Sequence, residues 1–406
     1  MQDKTDISRP DPTLSHNKEF IKLWPFVGLV LCLMIPSLPD VLKYLGPPGI
    51  VVYLLFVPSA VFFYLRIFLP VFVAEISEKQ ALMLTLVFMA GVAAVFFVVF
   101  PIANVHIPGR GSDSADGVNL AVKELINLRY PYLVRAYLGS PISELPGSLL
   151  LAMPFVIMGN SAYQNIFWII VFCVFLKSYL GTWRQVFLLM MLIFVLSPVV
   201  DQQLVTGGPN LSNEIFIMLS TYLLVSQLSG ANHSKIAKTG SAVFFGIAMS
   251  SKLNFVLIGP LLFSCLLQNS NLKETIKYLL ISAAVWAIVT LPFYFYAPVS
   301  FTPFRAQAAH ASYSILPFSA ILLPLSVGLV SVVLAFRRMG PDCEEFFAYS
   351  AFVQGLLIVT TVILSNMATG GIDLKIFRYG IMFIFLGSVP CWRVLTRGMV
   401  KEIHKK

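Results

Sequence analysis

The sequence predicts an all-α fold, a polytopic bundle of transmembrane helices, on three observations. Of 406 residues, 58% are hydrophobic and 12% are charged, where an average soluble protein is about a quarter charged. Apolar stretches of about 20 residues recur between short polar connectors, the length that spans a hydrocarbon core of ~30 Å. Lysine and arginine collect in alternate connectors and at the C-terminus, the bias that positive-inside topology produces. Orientation in a lipid bilayer therefore accounts for the net charge of +9, and no nucleic-acid partner is expected.

In chain order, residues 1–20 read as a cytoplasmic tail with acids and bases but no apolar secretory core, so the first span is a retained anchor. Spans are expected at 21–38, 50–69 and 81–105, followed by the longest loop, 106–145. Further spans follow at 148–175, with a break near Gly159 and Asn160, then 186–200, 211–228, a compound segment 241–267, 275–297, 315–336, 346–364 and 377–394. The count is about a dozen crossings in one membrane domain, 21–394, with a basic tail at 395–406. Between 145 and 177 either one broken helix or three shorter crossings satisfies the charges. The 25 prolines and 25 glycines imply broken helices, which membranes tolerate where neighbours re-satisfy the freed backbone groups. The five cysteines imply no disulfide framework.

Positive charge marks Lys177 with Arg184, Lys235 with Lys238, Lys273 with Lys277, Arg337 with Arg338, and the tail from Arg393; these connectors are placed in the cytoplasm. The alternation closes if 241–267 goes out and returns as two short helices with Lys252 near the turn. Both termini are then cytoplasmic, and the external set holds 106–145, 201–210, the Lys252 turn, 301–314 and 366–375.

The candidates for chemistry lie in that set. In the long loop, Asp113 and Asp116 precede a stretch whose apolar residues Leu120, Ala121, Leu125, Ile126 and Leu128 recur at helical spacing, as in a helix lying in the membrane interface. A carboxylate there can take the proton of an acceptor hydroxyl during attack, with Asp116 the leading candidate and Asp113 the second. The plainer alternative is that one of them caps the helix. Lys252 would cost about 2.5–3.5 kcal/mol at the centre of a membrane helix; it suits a lipid phosphate, or it snorkels and fixes the turn. Arg378 and Tyr379, at the start of the last span, either bind phosphate through the guanidinium or anchor the helix end. Arg305, Gln307 and His310 are placed to touch a head group or sugar, though a single histidine is a weak signal for catalysis. Glu144 and Asn210 are pocket-lining candidates in segments where turn chemistry uses the same residue types. Phosphate-loop, zinc-protease and serine-hydrolase motifs are absent from the sequence.

The order of these features resembles the GT-C superfamily of membrane glycosyltransferases, most closely its polyprenyl-phosphate-sugar-dependent, mannosyltransferase-like branch. The resemblance rests on Asp116 with GVNLAVKELINLRYPY, then LPGSLLLAMPFVIMG, TGGPNLSNEIFIML, FFGIAMSSKLNFVLIGPLLF and IFRYG, in order from Ile102 to Gly380. The sequence departs from the family in having more spans before the acidic loop than many relatives. It also lacks the usual glycine in the Leu128, Arg129, Tyr130, Pro131, Tyr132 turn, and its two aspartates are not adjacent. The resemblance implies a polyprenyl-phosphate-linked sugar whose phosphate lies near Lys252 and Arg378. It further implies Asp116 as base, an acceptor lipid, glycan or protein, inversion at the anomeric carbon, and no cofactor or metal.

Overall fold

The computed structural model describes residues 12–107, 111–230, 233–304 and 319–403, and no strand occurs among them. Helices α1 (Pro12–Met34), α2 (Leu38–Phe63), α3 (Leu69–Glu75) and α4 (Glu78–Ala103) precede the long loop, which carries α5 (Ser114–Ile126). Then follow α6 (Pro146–Ile157), α7 (Tyr163–Leu180), α8 (Trp183–Leu196), α9 (Pro198–Thr206), α10 (Pro209–Ser229) and α11 (Lys235–Met249). The last are α12 (Gly259–Asn269), α13 (Leu272–Tyr296), α14 (Ser319–Ala335), α15 (Glu344–Thr369) and α16 (Ile381–Ile403).

Among the described residues, seven helical runs are long and apolar enough to cross a membrane, or eight if the pair α8 and α9, bent by 85°, is one span. The first run, Leu23–Glu75, has 53 residues, about 80 Å as a straight helix and far more than one crossing needs. It turns at Ile35–Ser37 and breaks at Gly46, whose φ of 69° suits glycine and whose extended ψ is what a following proline imposes. Beyond Pro47 and Pro48 the chain returns to the bundle, where Tyr53 Oη donates to Leu196 O at 2.6 Å.

Polar contacts divide the helix ends into two groups. At one end, Glu78 accepts from Trp183 N at 2.8 Å, Arg184 donates to Val73 O at 2.9 Å, and Lys238 pairs with Glu274 at 2.9 Å. There too Gln268 binds Arg337 O at 3.1 Å, Arg393 binds Asp342 at 2.9 Å, and the Arg393 guanidinium lies 4.5 Å from the Tyr179 ring centre. These are the connectors in which the sequence concentrates its cations. At the other end, Ser37 Oγ accepts from Val199 N, Asn104 Nδ2 donates to Val205 O, Leu145 N donates to Ser251 O, Tyr130 Oη donates to Phe293 O, and Asn254 Nδ2 reaches Gln354 and Met382. Segments from distant parts of the chain thus meet at this end.

Two expectations are corrected. The stretch 148–175 is neither a broken crossing nor three. Helix α6 has 12 residues, about 18 Å and too short to span, and both its ends bind the same end of the bundle. Gly147 N donates to Ser250 O at 2.8 Å, while past the far end Asn160 Oδ1 accepts from Asn119 Nδ2 at 3.1 Å. Only α7 in this stretch reaches the opposite end, where Lys177 lies 3.9 Å from Glu78. One face of α5 packs on protein: Val118, Ala121 and Val122 are buried with Tyr132, Ile142 and Leu149 in a core of their own. Of the apolar residues that the spacing singled out, Ala121 is buried and Leu125 partly so, whereas Leu120, Ile126 and Leu128 are exposed; the packed face is instead Val118, Ala121 and Val122, against α6 and the loop.

Candidate functional site

The acidic loop is held by its backbone and by small residues. Gly207, with φ of 68°, ends α9, and a Cβ there would lie 2.6 Å from the Cβ of Ala162 and 2.9 Å from that of Ala115. This close approach seats the first turn of α5 on the junction of α9 with α10. Asn119 adds a two-way link, its Oδ1 accepting from Ser161 N at 2.7 Å.

Asp113 occupies the N-cap position of α5, but its side chain makes no capping bond and its Oδ2 is buried without a partner. Asp116, in the first turn, lies where the helix N-terminus favours negative charge. Its Oδ2 sits 2.6 Å from His106 Nε2 as an ion-pair contact that is not aligned as a hydrogen bond, and that oxygen has no hydrogen-bond partner; the side chains are 25% and 51% exposed, respectively. The imidazole stacks on Tyr137, ring centres 4.4 Å apart and planes 10° from parallel.

Lys252 is not a free cation at a turn. It stands between α11 and the 3-10 segment Leu253–Ile258, in extended conformation, and its Nζ donates to Glu144 Oε1 at 3.1 Å. The side chains are 7% and 11% exposed. Glu144 arrives there because the backbone of Leu145 and Gly147 bonds that of Ser251 and Ser250. A Cβ on Gly147 would lie 2.2 Å from Ile247 O, so the approach needs glycine. Burial by itself would raise the Glu144 carboxyl; the Lys252 ammonium, with hydrogen bonds from Lys252, Ser143 and the Glu144 backbone, brings it below its ordinary value.

Arg378 is similarly partnered. It lies in the 3-10 segment Lys375–Gly380, and its Nη2 donates to Asp40 Oδ1 at 2.6 Å. The contact is single rather than bidentate: Arg378 Nε and Asp40 Oδ2 are buried and take no hydrogen bond. Tyr379 beside it is exposed. Asn210, in the first turn of α10, is half-buried with its Oδ1 unpaired. Arg305, Gln307 and His310 lie outside the described residues.

The structure therefore brings Asp113, Asp116, Glu144, Lys252, Asn210 and Arg378 to one end of the bundle and pairs both cations with carboxylates. Sequence reasoning missed three participants. His106 opens the long loop as an isolated histidine; Asp40 follows the first span in a connector that carries little else of note. Glu214, one helical turn below Asn210, is 0% exposed with neither oxygen hydrogen-bonded. An acid inside an apolar span is itself the signal that would have found it. Among the described residues, no three His, Cys, Asp or Glu side chains are grouped to hold a metal ion.

Comparison with known proteins adds no relative: no family model matches the chain, nor does a curated protein or a solved structure.

Proposed function

We propose that this chain is a GT-C-type membrane glycosyltransferase. It transfers a hexose, mannose in the first instance, from a polyprenyl-phosphate-linked donor to a lipid, glycan or protein acceptor of the cell envelope. The observation that supports this reading is the meeting of an acid pair at the start of α5 with two ion pairs, the buried Glu144 with Lys252 and the part-buried Asp40 with Arg378, at one end of an apolar bundle. A donor phosphate needs cations and an acceptor hydroxyl needs a base; here both kinds of group are rooted in the same loop layer.

In this reading α1, α2, α4, α7, α8, α10, α11, α13, α14, α15 and α16 make crossings, and a further one is made by the 3-10 segment Leu253–Ile258 running on into α12, since α12 alone, with 11 residues, is no longer than α6. The end rich in paired lysine and arginine is cytoplasmic with both termini, and the site is on the external face. The phosphate of the donor lies by Lys252, Arg378 and Tyr379, and Asp116 or Asp113 serves the acceptor hydroxyl. Attack at the anomeric carbon expels the lipid phosphate and inverts that centre, without cofactor or metal, because the leaving group is already an anion held by cations.

A second reading, a transporter or flippase of lipid-linked sugars, draws on Glu214. A buried intramembrane acid with no partner, on the same helix as the unpaired polar atoms of Asn210, Asn213 and Thr221, is the kind of feature that lines a transport path. A non-catalytic subunit of an envelope-polysaccharide assembly system is a third. Reconstitution separates them. Liposomes holding the purified protein are given a polyprenyl-phosphate mannose and a mannoside acceptor, and the transferase reading expects a new glycoside. Movement of donor between leaflets with no glycoside formed would instead support the flippase, and neither activity would favour the subunit.

A further inference from the structure

His106 and Asp116 are joined in a way that alters their division of labour. A neutral imidazole has one N–H donor and one bare nitrogen acceptor, and the partner of the first decides which is which. Nε2 lies 2.6 Å from Asp116 Oδ2, close enough to need a proton between the two atoms although the contact is not aligned as a regular hydrogen bond; that proton belongs on Nε2, and Nδ1 is left as the acceptor. Stacking on Tyr137 at 4.4 Å and 10° fixes the plane of the ring and hence the direction of Nδ1. Access points the same way: the imidazole is half open to its surroundings, whereas Asp116 Oδ2 is buried behind it.

We infer that His106 is the catalytic base of the proposed transfer and that Asp116 is the residue that positions it. This rests on the transferase reading above, and it replaces the carboxylate as base with an imidazole that a carboxylate orients. In the step, the acceptor hydroxyl gives its proton to His106 Nδ1 as its oxygen bonds to the anomeric carbon. The bond from that carbon to the phosphate oxygen breaks, its electron pair leaves on the lipid phosphate, and the imidazolium formed is balanced by the Asp116 carboxylate. The arrangement follows the logic by which a buried carboxylate holds a catalytic histidine in one tautomer. Asp113, whose carboxyl has no such partner, keeps no part in this step.

The test uses the full-length protein in detergent, with farnesyl-phosphate mannose as donor and octyl mannoside as acceptor. His106→Gly is expected to lower transfer by about 100- to 10,000-fold, and added imidazole is expected to restore part of it, which a purely structural histidine would not allow. Nitrogen-15 spectra of labelled histidine should place the proton of neutral His106 on Nε2 in the parent protein and lose that preference in Asp116→Asn. Asp116→Glu should retain both tautomer and activity better than Asp116→Asn. A proton on Nδ1, or full transfer by His106→Gly, overturns the assignment while leaving the transferase reading intact. Absence of transfer by the parent protein, folded by its melting curve, counts against the transferase reading and removes the inference with it.

Discussion

Lys252 and Glu144, 108 residues apart in the chain, close an ion pair of 3.1 Å at the point where the acidic loop re-enters the bundle. The pair joins α6 to the break between α11 and α12, so it belongs to the architecture as well as to any ligand chemistry. Neither partner has much contact with solvent, and a buried charge left alone is more harmful than the pair is helpful.

Removing one partner should therefore destabilise strongly. Lys252→Ala or Glu144→Ala is expected to lose about 3–5 kcal/mol, whereas the double change Lys252→Met with Glu144→Leu should lose far less. Thermal unfolding in detergent, followed by tryptophan fluorescence, reads the difference; equal losses in single and double variants would remove the coupling.

The same pair sets an acid limit. The folded Glu144 carboxyl lies below its ordinary value, so the stability it adds is complete above the unfolded value near ~4.3 and is lost as pH falls through the lowered folded value. Glu144→Gln should flatten the pH dependence of the melting temperature across that interval, and an unchanged slope would show the carboxylate to be unlinked to folding.

Substitution of the α5 acids should separate chemistry from folding. Asp116→Asn is expected to reduce mannosyl transfer by about 100-fold or more with an unaltered melting curve. Asp113→Asn checks which acid the reaction needs. Normal transfer in both variants would falsify the assignment of chemistry to this loop.

Arg378 should matter to the donor more than to the acceptor. Arg378→Ala is expected to weaken binding of farnesyl-phosphate mannose by about 10-fold or more, the equivalent of one lost charge-assisted hydrogen bond. Arg378→Lys should not restore it, because an ammonium cannot reproduce the guanidinium fork. Titration calorimetry with donor and acceptor separately decides; equal weakening for both ligands would make Arg378 structural only.

Gly147 gives a purely steric test. Gly147→Ala would drive a Cβ to 2.2 Å from Ile247 O and 2.6 Å from Ser250 O, both backbone atoms that cannot swing aside. The expected loss is about 1–3 kcal/mol with displacement of α6, measured as a lower melting temperature and faster proteolysis within 138–146. A variant as stable as the parent would mean that α6 can slide freely.

The helical class and the sorting of polar loops were legible because each is written locally. A run of apolar residues needs no knowledge of its neighbours, and the break at Lys252 was visible because a lysine cannot sit quietly in an apolar run. Helix α6 was not legible: twelve apolar residues look alike whether they cross a membrane or lie across its end, and the deciding bonds come from Ser250 and Asn119. The partners of the site cations were hidden for the same reason. Asp40 and Arg378 are 338 residues apart, and a single sequence carries no sign of such a pairing. Asp113 and Asp116 could be found as acids beside a helix start, but the histidine that faces Asp116 could not.

Pairing each cation with its own carboxylate has an electrical consequence. Lys252 with Glu144 and Arg378 with Asp40 make two neutral couples, so these four groups together present no net charge to an anionic head group. In the proposed reading a donor phosphate would gain there by exchange, taking over a hydrogen-bond donor that a carboxylate gives up. Arrival then depends less on long-range attraction than on two-dimensional diffusion of an already membrane-bound ligand, and ionic strength should alter its capture only weakly.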